Sequence, residues 1–276
     1  MQAVNKNLTP AEYKAIHEFL ESQAGIRLGT GKEYLVISRL SRLFAVFELD
    51  GFGDLVSRLG DFGSSRIQAA VVDAMTTNET FWFRDAAHFR ALVDGILSET
   101  KPLDLRIWSA AASTGQEAYT VAITLQDGMQ EGRLARSMRY EIVGTDISAT
   151  ALKEAQGGVY CGISAARGLT DLQRQRYFRE QDGCIELLPQ YRQRVNFRQF
   201  NLLKSFESLG RFDVIYCRNV LIYFSRERKR DIIERMARSL RPGGHLFLGS
   251  TESISGHEDL FEMRNLAGGL VYRVRR

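Results

Sequence analysis

Residues 105–122 read LRIWSAAASTGQEAYTVA, and the order of residue types in this stretch decides the fold. An apolar run rich in β-formers gives way to small residues and then to a helix-like pattern, the signature of a strand, a turn and a helix. Ser109, Ala110, Ala111, Ala112, Ser113, Thr114 and Gly115 carry little side-chain bulk. A ligand can therefore lie against the backbone and meet its N–H groups where the helix begins. The glycines of a GxGxxG turn are absent, so two readings stand: a ligand cradle, or a tight turn that only packs well.

Strand and helix patterns alternate on either side of this stretch. LRIWSA, a helix over 116–127, YEIVGTD, a helix after Ser148, FDVIYC, a helix over 226–240 and GHLFLGS follow one another as βαβ units. Such alternation predicts a mostly parallel sheet with helices on both faces, and ligands bind beyond the carboxyl ends of its strands. Asp146 ends the second strand, where a carboxylate accepts from a ribose diol or merely caps the next helix. Between 156 and 199 the alternation lapses. Gly157 and Gly158 break a helix, TDLQRQRYF is helical in pattern, and CIELLP with RVNFRQF predict short antiparallel strands inserted into the sheet. Arg174, Arg176, Arg179, Arg192, Arg194 and Arg198 make this insert either a binding appendage for an acidic peptide or a hairpin charged against edge pairing. The final EMRNLAGGLVYRVRR predicts a closing antiparallel hairpin.

The amino-terminal part is helical. Thr9, Pro10 and Glu12 form a capping box with proline in the first turn, Ile16, Phe19 and Leu20 share a face, and Gly25 stops the helix. Over 32–47 the stripe is Val36, Leu40, Leu43 and Phe47, with Lys32, Arg39 and Arg42 along one edge. That basic edge is either a solvated face or a docking strip for an acidic helix, and Glu48, Asp50, Asp54 and Asp61 follow it closely. Shorter helices over 52–59 and 64–75 complete a small bundle. TTNETFWFR, residues 76–84, places hydrogen-bonding groups against Phe81, Trp82 and Phe83, and reads as an interdomain linker or a ligand lid.

The chain has 276 residues and a formal net charge of +4. That length accommodates one large or two smaller domains, and the small basic excess permits an acidic partner without requiring one. No signal peptide opens the sequence and no run of about 18 apolar residues follows, so a cytoplasmic protein without membrane insertion is expected. Cys161, Cys184 and Cys217 are too widely spaced for a CxxC-type site and the four histidines form no HExxH pattern, so free thiols and no metal are expected.

Six motifs, TTNETFWFRD, WSAAASTGQEAYT, GTDIS, FNLL, FDVIYCRNVLIYF and LRPGGHLFLGSTES, stand in one order. Together the chain resembles the chemotaxis receptor methyltransferases, the CheR family, along essentially its whole length. An LRPGG turn alone is shared by many methyltransferases; six motifs in register are specific. The resemblance implies a small N-terminal helical domain over 1–75, a linker and lid over 76–102, and a Rossmann-like class I methyltransferase domain over 103–276 with a small antiparallel β insert at about 157–199. It implies transfer of a methyl group from S-adenosylmethionine to glutamate side chains on cytoplasmic helices of chemoreceptors, leaving S-adenosylhomocysteine. Matching motifs place cofactor contacts at Asn78, Thr80, Arg84, Glu117, Asp146, Asn201, Leu202, Arg218 and Asn219, and the methyl group near Arg84 and Tyr223. Gln116 and Ala118 stand where relatives often show Glu and Pro. Receptor contacts are expected through Lys32, Arg39, Arg42 and the β insert, for a monomer that binds no nucleic acid.

The chemistry asks little of the protein. A glutamate side chain is already a carboxylate at neutral pH, so no general base is required, and no histidine-based triad is evident. An RNA methyltransferase would suit the isoelectric point of about 9.0, but the basic residues are dispersed and no NPPY-like motif is visible. A non-catalytic module that senses the cofactor predicts binding without turnover.

Overall fold

Thr9 and Glu12 cap each other at the start of α1 (Pro10–Ala24): the Glu12 N–H donates to Thr9 Oγ1 at 3.3 Å and the Thr9 N–H to Glu12 Oε2 at 2.7 Å. Gly25, at φ 71°, closes the helix in the left-handed region. The computed structural model describes residues 7–61, 63–162 and 165–275. It divides into a helical unit, Met1–Thr77 with Tyr223–Arg228, and a sheet unit, Asn78–Ile222 with Lys229–Arg276.

In the helical unit α2 (Glu33–Phe47) buries Val36, Leu40 and Phe44. The expected stripe ran through Leu43 and Phe47 instead, and both are only half-buried. A row at every fourth residue is what α2 presents to its neighbours, with the Phe44 ring meeting Phe52 edge-on at 4.9 Å. α3 (Phe52–Gly60) and α4 (Ser65–Met75) complete the bundle. Arg39 is drawn inward: its Nη1 donates to the carbonyls of Met75 and Thr76 at 2.9 and 2.8 Å, where the end of α4 leaves carbonyls without helical partners. Lys32 and Arg42 stay exposed.

The sheet unit opens with α5 (Ala87–Arg90), which continues as a π-helical turn, Ala91–Leu97, into α6 (Ser98–Thr100). There follow β1 (Asp104–Ala110), α7 (Gln116–Gln130), β2 (Arg139–Asp146), α8 (Ala149–Gly157), β3 (Val159–Cys161), α9 (Asp171–Tyr177), β4 (Phe178–Gln181), β5 (Cys184–Leu187) and α10 (Pro189–Arg192). β6 (Val195–Gln199), β7 (Phe212–Cys217), α11 (Arg226–Ser239), β8 (Leu240–Leu248), β9 (Phe261–Leu266) and β10 (Gly269–Val274) end the chain. Seven strands form one sheet in the order β6-β2-β1-β7-β8-β10-β9, parallel from β6 to β8 and antiparallel where β10 meets β8 and β9. The chain leaves β1 toward β2 on one side and returns as β7 on the other. This makes the crevice beyond β1 and β7 the topological switch point where such sheets bind ligands.

The expected insert needs redrawing. RVNFRQF is not part of it: β6 is a parallel edge strand of the main sheet, with Asp146 opposite Gln199. An edge strand with one face inward alternates in the same way whichever direction its neighbour runs. Gly144 makes room for it, since a Cβ there would lie 2.6 Å from the Phe197 ring. The insert proper is the three-stranded antiparallel sheet β3-β5-β4, packed around Trp82, Tyr160, Tyr177, Phe178, Ile185 and Tyr191. β3 and β4 are too short to leave a period in sequence. Tyr177 donates to the buried Asp127 of α7, fastening the insert to the main sheet's helix.

Cys161 and Cys184 are not free thiols. Antiparallel pairing of β3 with β5 sets them directly opposite, and they form a disulfide across 23 residues of chain. Cys217 is a buried free thiol in β7. Among the described residues, no helix is long and apolar enough to cross a membrane. Unfolded without reductant, the chain should expose one titratable thiol, from Cys217, and three after reduction. A count of three before reduction would contradict the Cys161–Cys184 bond.

Candidate active site

The turn after β1 is small because its surroundings are close. A Cβ on Gly115 would lie 3.0 Å from both Ala155 Cβ and the Phe197 ring, and 3.1 Å from the Tyr119 ring. Gly115 at φ 95° takes the left-handed conformation with no steric cost, but Ala111 and Ser113, at φ 60° and 52°, adopt it as non-glycine residues. The turn is held against β2, where the Ala112 N–H donates to the Thr145 carbonyl at 2.8 Å.

Asp146 joins this turn to the next helix. One oxygen accepts from the Ser113 N–H at 2.8 Å and the other from the Ser148 N–H at 2.9 Å. The helix cap is Ser148, whose Oγ accepts from the Ala151 N–H. Asp146 is thus a buried carboxylate whose orientation is fixed by backbone from both sides. Asn201 is brought near it by β6, because Phe200 donates its N–H to the Asp146 carbonyl at 2.8 Å. Leu202 beside it is buried, and Arg235 of α11 holds its carbonyl at 2.8 Å.

Arg218, immediately after β7, is the charge centre. Its side chain is 1% exposed. Nη1 donates to Glu117 at 2.9 Å, and Nη2 donates to the Arg84 carbonyl at 2.7 Å and to Asp85. Burial weighs against its charge, but Glu117 and then Asp85 outweigh burial and raise its pKa above the ordinary arginine value. Glu117, in the first turn of α7, takes a further hydrogen bond from Ser109 Oγ at 2.7 Å. Residue types alone did not single out Asp85, and pointed to Ser109 only as a small residue of the turn, not as the partner of Glu117. Asp85 does lie inside the TTNETFWFRD motif, one residue after Arg84.

The 78–85 segment is stitched to its surroundings. Ser113 Oγ donates to the Asn78 carbonyl at 2.9 Å, the Asn78 amide donates to Ser148 Oγ at 3.3 Å, and Trp82 Nε1 donates to the Ala165 carbonyl at 2.8 Å. Thr80 is half-buried between Glu79 and Phe81. Phe83 and Asp85, at φ 52° and 54°, flank Arg84 in the left-handed region. The Arg84 guanidinium lies 5.3 Å from the Phe81 ring centroid and that of Arg167 4.5 Å from it. Arg84 is thus anchored by its carbonyl, while its side chain rests on an aromatic face.

Asn219, at φ 59°, follows Arg218. Tyr223 ends the 3-10 turn Leu221–Tyr223 and clusters with the helical unit, where its carbonyl accepts from the Arg27 N–H. The other nine residues assigned by motif belong to the sheet unit.

The arrangement suits a cationic, ribose-bearing ligand. Asp85 and Glu117 set two carboxylates against the Arg218 guanidinium, and Asp146 adds a third that is held by backbone N–H groups. An oriented carboxylate fits a ribose diol, and net negative charge fits a sulfonium and an ammonium. Sequence comparison agrees: the CheR methyltransferase SAM-binding domain matches residues 78–269, and the CheR all-alpha domain matches residues 11–76. The chain belongs to the CheR methyltransferase family. It is 42% identical to a chemotaxis protein methyltransferase of Vibrio anguillarum, covering 97% of this chain and 98% of that one. It is 37% identical to that of Salmonella typhimurium, covering 98% of this chain and 92% of that one. This CheR methyltransferase is therefore an S-adenosylmethionine-dependent enzyme.

His88 and His245 are buried without being part of the charge network. Burial and then Arg218 press His88 down to about 4, against Asp85; burial and then Arg273 and Arg264 press His245 to about 4. Below their usual value near 6.5 the unfolded chain takes up protons that the folded protein refuses until about pH 4. Stability should therefore fall as pH drops through that window, by on the order of 2–3 kcal/mol per histidine. Urea midpoints at pH 7 and 4.5 measure this, and His88→Asn should flatten the dependence. Arg218→Met should cost about 3 kcal/mol by leaving Glu117 buried without its cation. Arg218→Lys should not restore the melting temperature, because one ammonium cannot reproduce the separate Nη contacts to Glu117 and Asp85.

Proposed function

We propose that this CheR methyltransferase esterifies glutamate side chains of chemoreceptors in the cytoplasm, acting as a monomer. S-adenosylmethionine, when bound, supplies an electrophilic methyl group on a sulfonium. Asp146 holds the ribose, Glu117 faces the ammonium, and Asn201 with Leu202 receives the adenine by a polar edge and an apolar wall. Asn78, Thr80, Arg218 and Asn219 close the pocket around them.

The observation that carries this reading is the division of labour at Arg84. Its carbonyl is tied to Arg218 while its guanidinium lies on the Phe81 ring. That side chain suits a single contact with an incoming carboxylate. A bidentate clamp would occupy the attacking oxygen. Tyr223 is assigned to the same carboxylate by its motif alone. Alignment dominates the rate, because the nucleophile needs no deprotonation and opposite charges vanish as the methyl moves. Lys32 and Arg42 remain exposed for an acidic receptor helix, whereas Arg39 serves α4.

The test is incubation with methyl-labelled cofactor and receptor, followed by mild alkali: esters release labelled methanol, and N-methylated products retain the label. Arg84→Ala should lower turnover about 100-fold with little change in cofactor affinity, since the carbonyl that serves Arg218 is unaltered. Tyr223→Phe should lower turnover about tenfold by the same route. Asp146→Ala should instead weaken cofactor binding by about tenfold or more. Full activity in Tyr223→Phe would remove its assigned role. For the ammonium contact, Glu117→Gln is the cleaner change, because it retains a group facing Arg218 and Ser109.

A further inference from the structure

We infer that Glu252 is the positioning residue of the loop that follows β7, the inference resting on the cofactor pocket proposed above. Glu252 stands in the turn after β8. Its Oε2 accepts from the N–H groups of Asn219 at 2.7 Å and Gly249 at 2.8 Å, and its Oε1 accepts from the N–H of Leu221 at 2.8 Å. One carboxylate thus ties Gly249, at the end of β8, to two points after the end of β7, just beyond the paired residues Cys217 and Leu248.

The loop so held carries the site's chemistry. Arg218 lies directly before Asn219 and joins Glu117 to Asp85 and to the Arg84 carbonyl. Asn219 itself is held at φ 59°, which a non-glycine residue adopts at a cost that its neighbours must offset. The hydrogen bond to its own N–H supplies that restraint. Leu221 opens the 3-10 turn that ends at Tyr223, so the same carboxylate fixes where that turn begins.

All three partners are donors, so the position demands an acceptor at every contact. A carboxylate meets that demand with both oxygens; an amide of the same shape would turn an NH2 group toward a backbone N–H, and aspartate is one methylene too short. The box is also tight. A Cβ on Gly249 would lie 2.7 Å from both Asn219 Nδ2 and Glu252 Oε2, and 2.9 Å from the Asn219 nitrogen.

Glu252→Gln is therefore the discriminating variant, measured by calorimetric titration with S-adenosylhomocysteine, by steady-state kinetics and by melting temperature. The expected result is a dissociation constant about tenfold higher, a rise in KM for the cofactor larger than the fall in kcat, and unchanged circular dichroism. Glu252→Asp should not rescue binding. Gly249→Ala, which keeps the carboxylate but crowds it, should weaken binding in the same direction. Affinity within twofold of the parent in Glu252→Gln, with or without a lower melting temperature, overturns the inference. Asp146→Ala in the same titration separates the two ideas. Weakened binding in both variants supports both; weakened binding in Glu252→Gln with parental affinity in Asp146→Ala supports Glu252 and removes the ribose assignment.

Discussion

Arg218 is the buried cation on which the carboxyl end of the sheet depends. Taking a guanidinium out of water is costly, and the cost is offset only where its donors meet charged or polar acceptors. Here the acceptors come from separate parts of the chain: Glu117 from the start of α7, Asp85 and the Arg84 carbonyl from the segment before α5. Removing any one leaves the others facing an incompletely satisfied charge. The ion cluster therefore fixes three segments in mutual register as packing alone would not, since apolar contacts do not specify direction.

Backbone strain collects around the same cluster. Phe83, Asp85, Ala111, Ser113 and Asn219 all take positive φ without being glycine. Four of the five are held by a specific contact: the Phe83 N–H by Thr120 Oγ1, Asp85 by Arg218, Ser113 by Asp146 and the Asn78 carbonyl, Asn219 by Glu252. This explains how a turn without the usual glycines keeps its shape. Alanine and serine side chains are small enough to leave the backbone accessible, and the hydrogen bonds of Ser113 supply a restraint that offsets its unfavourable conformation.

Local signals were legible in the amino-acid order. The Thr9–Glu12 capping box, the apolar run of β7 and the small-residue turn after β1 depend on neighbours within a few positions. Features created by long-range pairing were not. β6 has the alternation of any one-sided strand, so its membership in the main sheet follows from its pairing with β2 and not from its own residues. Cys161 and Cys184 meet only because β3 and β5 align. The buried stripe of α2 runs through Phe44 and not through Leu43 and Phe47, because three- and four-residue spacings fit the same short window. In the candidate site, motifs indicated the segments but not the wiring: Asp85, Ser109 and Glu252 contribute through contacts with residues up to 133 positions away. No local pattern encodes those contacts.

The charge balance of the site carries a consequence for catalysis. Methyl transfer from a sulfonium to a carboxylate destroys one positive and one negative charge, so a strongly charged environment stabilises the reactants more than the transition state. Asp85 and Glu117 without a cation between them would favour a cationic reactant over the transition state. Arg218 moderates that field by neutralising part of the charge of Glu117 and Asp85 from within the protein. The buried arginine thus sets both the mutual geometry of the segments it joins and the balance of charge around them.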